Sequence, residues 1–272
     1  MGKAIRTTMI TVLTALICLS GYQFWKISNQ YAQEARIKAA MSAYSPEKPD
    51  DSAGFFGVTE GIGSDSSDVP GELPPVIEPA AEEPVIVNPF IVEMQSEVNS
   101  AIMGWLTIPN TKIDYPFIAS EDHQYYLGHD IYENPSKAGS IFMDYRCPGD
   151  FTALPTILYG HNMKNGSMFG ELRLFADADF FNTNPDGSLR LKDVTYTLTC
   201  FAYMVVKADD PDIFYFNGDR ETFFDYVKET ARNYREPDRQ GKVVALSTCA
   251  YEFDEARMVV LATATPVPVE AP

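Results

Sequence analysis

Three residues of this 272-residue chain have the types and spacing for acyl-transfer chemistry. Cys249 closes the apolar run "KVVALSTC", and Arg257 opens the next, "RMVVLATA", after seven intervening residues. If the two runs pair as a hairpin, the arginine returns to the level of the cysteine. A guanidinium beside a thiol favours the thiolate and can later neutralise an oxyanion. His161 ends another apolar run, "PTILYGH", where an imidazole could exchange a proton with a leaving group. The other cysteines fit this chemistry less well. Cys200 follows "TYTLT" in much the same manner, but its run continues as "FAYMVV", which reads as mid-strand packing. Cys147 precedes Pro148-Gly149 and reads as a loop residue. His123 and His129 flank "QYYLG", a loop or short helix.

The elements that must position these groups begin near Phe90. "FIVEMQSEVNSAIM" has apolar residues at helical spacing. Eight short runs rich in β-branched and aromatic residues follow: "GWLTIP", "KIDYPFI", "GSIFMD", "PTILYGH", "SLRLK", "VTYTLTCFAYMVV", "KVVALSTC" and "RMVVLATA". Turn signals separate them, which fits a closed or nearly closed barrel better than a parallel sheet. "SMFGELRLFADADFF" and "DRETFFDYVKETARNY" read as helices between strands. The expected fold is mostly β with accessory helices.

Before this domain the chain changes character twice. Residues 7–25, "TTMITVLTALICLSGYQFW", contain no formal charge. As a helix they would span ~28 Å, close to the hydrocarbon thickness of a bilayer. Lys3 and Arg6 precede them and Tyr22, Phe24 and Trp25 end them, as expected of a transmembrane anchor with residues 1–6 in the cytoplasm. A cleaved signal peptide would need a shorter apolar region and a better cleavage site than Leu19-Ser20-Gly21. A lipoprotein signal would need a small residue where Ile17 stands. Residues 26–44 read as a juxtamembrane helix. Residues 45–89 are rich in proline, glycine, serine and acids, with Lys48 as their only basic residue, and read as an extended spacer. The catalytic domain is expected over 90–265 and a flexible tail over 266–272.

With 45% hydrophobic residues the chain can bury a large core, and its net charge of −17 argues against nucleic acid as a partner. It has no glycine-rich phosphate loop and no Cys or His cluster at metal-ligand spacing, so no cofactor and no metal are expected. Outside the cell disulfides are permitted, but Cys147, Cys200 and Cys249 are odd in number, which leaves at least one free thiol unless chains cross-link.

"ALSTC" followed by an arginine at a strand start, with "LYGHNM" upstream, resembles the sortases, specifically class B. Their nucleophile motif is Thr-Leu-x-Thr-Cys, which Leu246, Thr248 and Cys249 match and Ala245 does not. "GWLTIPNTKIDYPF", "DHQYYLGHD" and "GSIFMDYR" extend the resemblance, which covers about 90–265. It implies an eight-stranded sortase-type β-barrel and an extracellular, membrane-anchored cysteine transpeptidase of a Gram-positive cell. Such an enzyme cuts the C-terminal sorting signal of a secreted protein and holds the acyl fragment as a thioester. It then passes that fragment to an amine of the cell-wall peptide or to a pilin lysine. By position, Cys249 would be the nucleophile, His161 the general acid and base, and Arg257 the stabiliser of thiolate or oxyanion. Tyr159, Ser247, Asp114, Ile118 and Ile213 would line the substrate groove. Asp114 and Ile118 stand where relatives carry Asn and Leu, and Ala250 stands where an acid is common.

Two other functions deserve weight. A papain-like peptidase or amidase would use the same Cys-His pair, but usually places the cysteine first and at a helix N-terminus. A catalytically silent surface-binding domain would explain anchor, spacer and barrel, leaving the Cys-His-Arg placement to coincidence.

Overall fold

In the computed structural model the described residues are 2–41, 44 and 87–267. The spacer expected over 45–89 lies outside them save for its last three residues, and so does most of the tail over 266–272. Helix α1 (Gly2–Met41) runs unbroken for 40 residues. Among the described residues no helix is long and apolar enough to cross a membrane. The anchor expected at 7–25 lies within α1, and its side chains up to residue 12 fall outside those described. The helix ends on the barrel: Met41 is buried in the core, with Ile37 and Tyr44 packed against it.

The helix expected over 90–103 is shorter. It forms α2 (Pro89–Glu97), started by a proline at its first turn, and the chain is extended again by Ile102. Each of the eight apolar runs then becomes a strand. In chain order these are β1 (Ile102–Thr107), β2 (Asp114–Ala119), β3 (Ile141–Met143), β4 (Thr156–Tyr159), β5 (Asp186–Leu191) and β6 (Thr195–Lys207). A two-residue β7 (Asn233–Tyr234) pairs with β6, and β8 (Lys242–Cys249) and β9 (Ala256–Pro266) complete the set. The order β5-β1-β2-β3-β4-β8-β9-β6 closes on itself through β5–β6, giving an eight-stranded barrel, and β7 pairs with the part of β6 that runs on past β5. Most neighbours are antiparallel; β2–β3 and β4–β8 are parallel.

Two apolar layers explain why the central runs are continuous rather than alternating. Along β8, Val244 and Leu246 belong to the main core, while Val243 and Ala245 face a second cluster on the other side of the sheet. That second cluster is covered by Phe223, Phe224 and Val227 of α5 (Arg220–Thr230) and by Ile213 and Phe214 of α4 (Pro211–Phe214). Helix α4 is capped by Asp210, whose carboxylate also accepts the Tyr226 hydroxyl of α5 at 2.6 Å, so the two short elements are tied together. The stretch expected as one helix over 167–181 divides into a 3-10 segment (Gly170–Ala176) and α3 (Ala178–Thr183), joined at Asp177, whose side chain caps α3.

Candidate active site

The site lies where the sheet runs out from under its outer cover. In β8, Ser247 and Cys249 continue the side of Val243 and Ala245, because side chains alternate with period two. Val259 and Leu261 lie in the same outer layer on β9, which puts Arg257 on that side. Tyr159 follows Ile157 likewise on β4. Cys249 pairs directly with Arg257 in the antiparallel register of β8 and β9, as the hairpin reading expects.

His161 arrives by a longer route. Strands β4 and β8 are parallel and pair Tyr159 with Ser247, so two residues further each chain reaches His161 and Cys249. The register holds past the end of β4. Thr248 Oγ1 donates to the Gly160 carbonyl at 2.7 Å, and Asn162 Nδ2 donates to the Cys249 carbonyl at 2.7 Å. Gly160 is required here, since a Cβ would sit 2.9 Å from the buried ring of Phe169. After Asn162 the chain loops back, pairs with Met168 and returns the Phe169 N–H to the His161 carbonyl at 3.0 Å.

Cys249, His161 and Arg257 line one cleft of about 260 Å³, together with Tyr159, Ser247, Thr248, Phe214 and Tyr215. The Cys249 thiol is exposed. The His161 Nε2 lies 2.8 Å from the Leu127 carbonyl, which can only accept. Nε2 therefore carries a proton, and Nδ1 is the nitrogen left to exchange one with a bound molecule. The Arg257 guanidinium donates to the Ala256 carbonyl at 3.1 Å and more loosely to that of Glu255. Ser247 is fully buried and lines the cleft, and its Oγ has no hydrogen-bond partner among the described residues. A buried hydroxyl in that state gains a bond when a polar group enters.

The other residues expected in the groove are placed differently. Asp114 does not line the cleft; it accepts from Trp105 Nε1 at 2.7 Å and Thr107 Oγ1 at 2.9 Å beside β1. Ile118 is fully buried in the main core, packed in the same cluster as its strand neighbours Tyr115 and Phe117. Ile213, on the buried side of α4, lines a neighbouring cavity, whereas the next two residues, Phe214 and Tyr215, form the cleft wall. Cys200 is buried, and burial pushes its thiol up to about 12. Among the described residues no group of His, Cys, Asp and Glu could hold a metal ion.

Sequence reasoning passed over a buried ionic cluster at the cleft floor. Asp144, just beyond β3, is fully buried. Its two oxygens accept from Arg146 Nε at 2.9 Å and Nη2 at 2.6 Å, and from the Tyr159 hydroxyl at 3.0 Å. His123 Nε2 lies 3.1 Å from the same carboxylate, off the line of a hydrogen bond, with its ring against Tyr145 and Tyr159. Burial raises the Asp144 carboxyl, but the hydrogen bonds from Arg146 outweigh it and bring the group to about 2. Its contribution to stability is therefore present above the ordinary carboxylate value and is lost as pH falls towards 2. The same cluster, chiefly through burial, raises the Tyr159 hydroxyl, which stays neutral and donating. The available signal was an Asp-x-Arg pair at the exit of an apolar run.

Against this geometry, comparison with known proteins is decisive. The sortase domain model matches residues 106–265, more than half of the chain and all three cleft residues. The chain belongs to the sortase family. A sortase B of Listeria monocytogenes is 37% identical over 175 residues, covering 60% of this chain and 70% of that protein. A sortase B of Staphylococcus aureus is 30% identical over 184 residues, covering 62% and 72%. Among solved structures, a class B sortase of Streptococcus pyogenes involved in pilus biogenesis superposes with a TM-score of 0.59 at 29% identity, covering 64% of this chain and 97% of that one. The Staphylococcus aureus sortase B–substrate complex gives 0.60 at 26% identity, covering 66% and 86%. The chain is thus a class B sortase-type cysteine transpeptidase on an eight-stranded barrel.

Proposed function

We propose that this sortase cleaves the C-terminal sorting signal of secreted proteins and joins the acyl fragment to an amine of the cell-wall peptide or of another surface protein. The observation that carries this reading is the register β4–β8–β9, which sets a histidine, an exposed thiol and a guanidinium on one open cleft. Cys249 Sγ, as thiolate, attacks the scissile carbonyl, and Arg257 stabilises the oxyanion of the tetrahedral intermediate. As the C–N bond breaks, protonated His161 gives its Nδ1 proton to the leaving amine, and a Cys249 thioester remains. An incoming amine then attacks the thioester, His161 takes a proton from it, and the thiolate departs. The unpaired Ser247 hydroxyl and the Tyr159 ring offer contacts to the donor peptide.

In the same reading residues 7–25 anchor the enzyme in the cell membrane as a single pass, and the barrel works outside, facing the wall. The support is the charge-free run between Arg6 and the aromatics Tyr22, Phe24 and Trp25. The acceptor class follows from chemistry: a thioester reacts with amines faster than with water where the cleft excludes water.

The test uses the chain from Asn88 onward, incubated with a library of short sorting-signal peptides, with and without oligoglycine or diaminopimelate-type amines. Mass spectrometry is expected to find an acyl adduct on Cys249 that amine resolves into a ligated product. Hydrolysis with no ligation by any amine would favour the peptidase. A folded protein that forms no adduct with any peptide would sink the transpeptidase reading in favour of a silent domain.

A further inference from the structure

The cleft does not end at the reactive residues. On the far side of Phe214 and Tyr215 lies a second cavity of about 340 Å³. Arg146, Phe214 and Tyr215 line both, so Arg146 stands at the seam between them. Its guanidinium is fixed on two sides, by Asp144 as described and by the Tyr215 ring, 4.6 Å from the guanidinium carbon. Of the five guanidinium N–H donors, the two bonds to Asp144 use two. The remaining three have no acceptor among the described residues, although the side chain is only 31% exposed.

A fixed guanidinium with idle donors, half-sheltered between two cavities, is preorganised to receive an oxygen. The charge balance says which kind. Asp144 already cancels the charge of Arg146, and the chain as a whole carries −17. A second carboxylate would bring two anions to one cation, whereas a neutral carbonyl meets no such repulsion. An extended peptide presents such carbonyls along its length.

The geometry points to Arg146 as a substrate-binding residue that donates to a carbonyl oxygen of the acyl-donor peptide, held in register for this by Asp144. The donor then passes over the seam, and the second cavity receives residues away from the scissile bond. Arg146 acts on binding and not on the acyl transfer, so its loss raises KM and leaves kcat nearly unchanged. This inference rests on the acyl-donor reading of the cleft.

Steady-state kinetics would be measured for wild type, Arg146→Ala, Arg146→Lys and Asp144→Asn, using a reactive sorting-signal peptide and versions of it shortened residue by residue from either end. Alkylation of Cys249 by iodoacetamide, which needs the thiol but no peptide, monitors the nucleophile in each variant. Arg146→Ala is expected to raise KM about 10-fold or more, the scale of a lost charge-assisted hydrogen bond. Asp144→Asn should do the same, with alkylation unchanged. One truncation should cost the wild type that factor and cost Arg146→Ala nothing further, which locates the contact. An unchanged KM in Arg146→Ala overturns the inference alone. Full recovery by Arg146→Lys, which keeps a cation beside Asp144 but loses the fork, also overturns it, because the ion pair would then be the whole role. Failure of wild type to acylate with any peptide overturns the sortase reading itself, and this inference with it.

Discussion

Two cysteines of this protein end nearly identical words, Leu198-Thr199-Cys200 and Leu246-Ser247-Thr248-Cys249, and their environments could hardly differ more. Cys200 lies inside the thirteen-residue β6, fully buried, beside a break in register with β9. Burial there holds the thiol protonated, with its pKa at about 12. Cys249 is the last residue of β8 and is exposed, with a guanidinium on the neighbouring strand and an imidazole on the other side. The difference comes from where each strand stops. A thiol becomes available for chemistry where the sheet outruns its cover, and the same side chain a few residues deeper is packing.

That contrast can be broken most directly by exchanging the effects. Cys249→Ala is expected to abolish acylation and ligation while leaving thermal unfolding nearly unchanged, since removing an exposed thiol opens no cavity. Residual turnover above background would move the nucleophile elsewhere. His161→Ala should lower kcat by about 10²- to 10⁴-fold, the usual weight of a positioned acid and base. A loss under tenfold would leave the imidazole a rim residue bonded to Leu127. Arg257→Lys should cost about 10²- to 10³-fold in kcat/KM, because an ammonium cannot reproduce the planar fork at an oxyanion; near-wild-type rates would reduce this arginine to a structural part of the hairpin. The smallest effect belongs to the buried thiol. Cys200→Ala should retain activity and lose about 1–2 kcal/mol of stability by denaturant titration. In native protein iodoacetamide should label Cys249 and spare Cys200 until unfolding, and labelling of both at similar rates would erase the contrast.

Much of this organisation is legible in the residues. The eight strand runs are visible because β-branched and aromatic residues cluster between turn signals, and every one became a strand. The helical stretches were readable as helices but not in their limits. The pattern over 90–103 carries on beyond Glu97 in composition while the backbone is already turning into β1. The groove residues divide instructively. Tyr159 and Ser247, which flank His161 and Cys249 as well as resembling groove positions of the family, are in the cleft. Asp114 and Ile118 were placed by resemblance alone; the bonds to Trp105 and Thr107 hold the first beside β1, and the second is packed in the main core.

What the sequence by itself determined is local: strand identity, the exposed end of β8, and the pairing of Cys249 with Arg257. In an antiparallel hairpin the short connecting loop leaves little choice of register between the strands it joins. What only the tertiary structure decided is every relation across long separations. His161 reaches Cys249 because β4 and β8 happen to be parallel neighbours, and Asp144 gathers Arg146 and Tyr159, with Arg146 in turn against the Tyr215 ring that follows α4. Such contacts are selected by how the barrel closes and what its outer face must cover. No periodicity along the chain encodes that choice, because the free energy that makes it belongs to surfaces that meet only after folding.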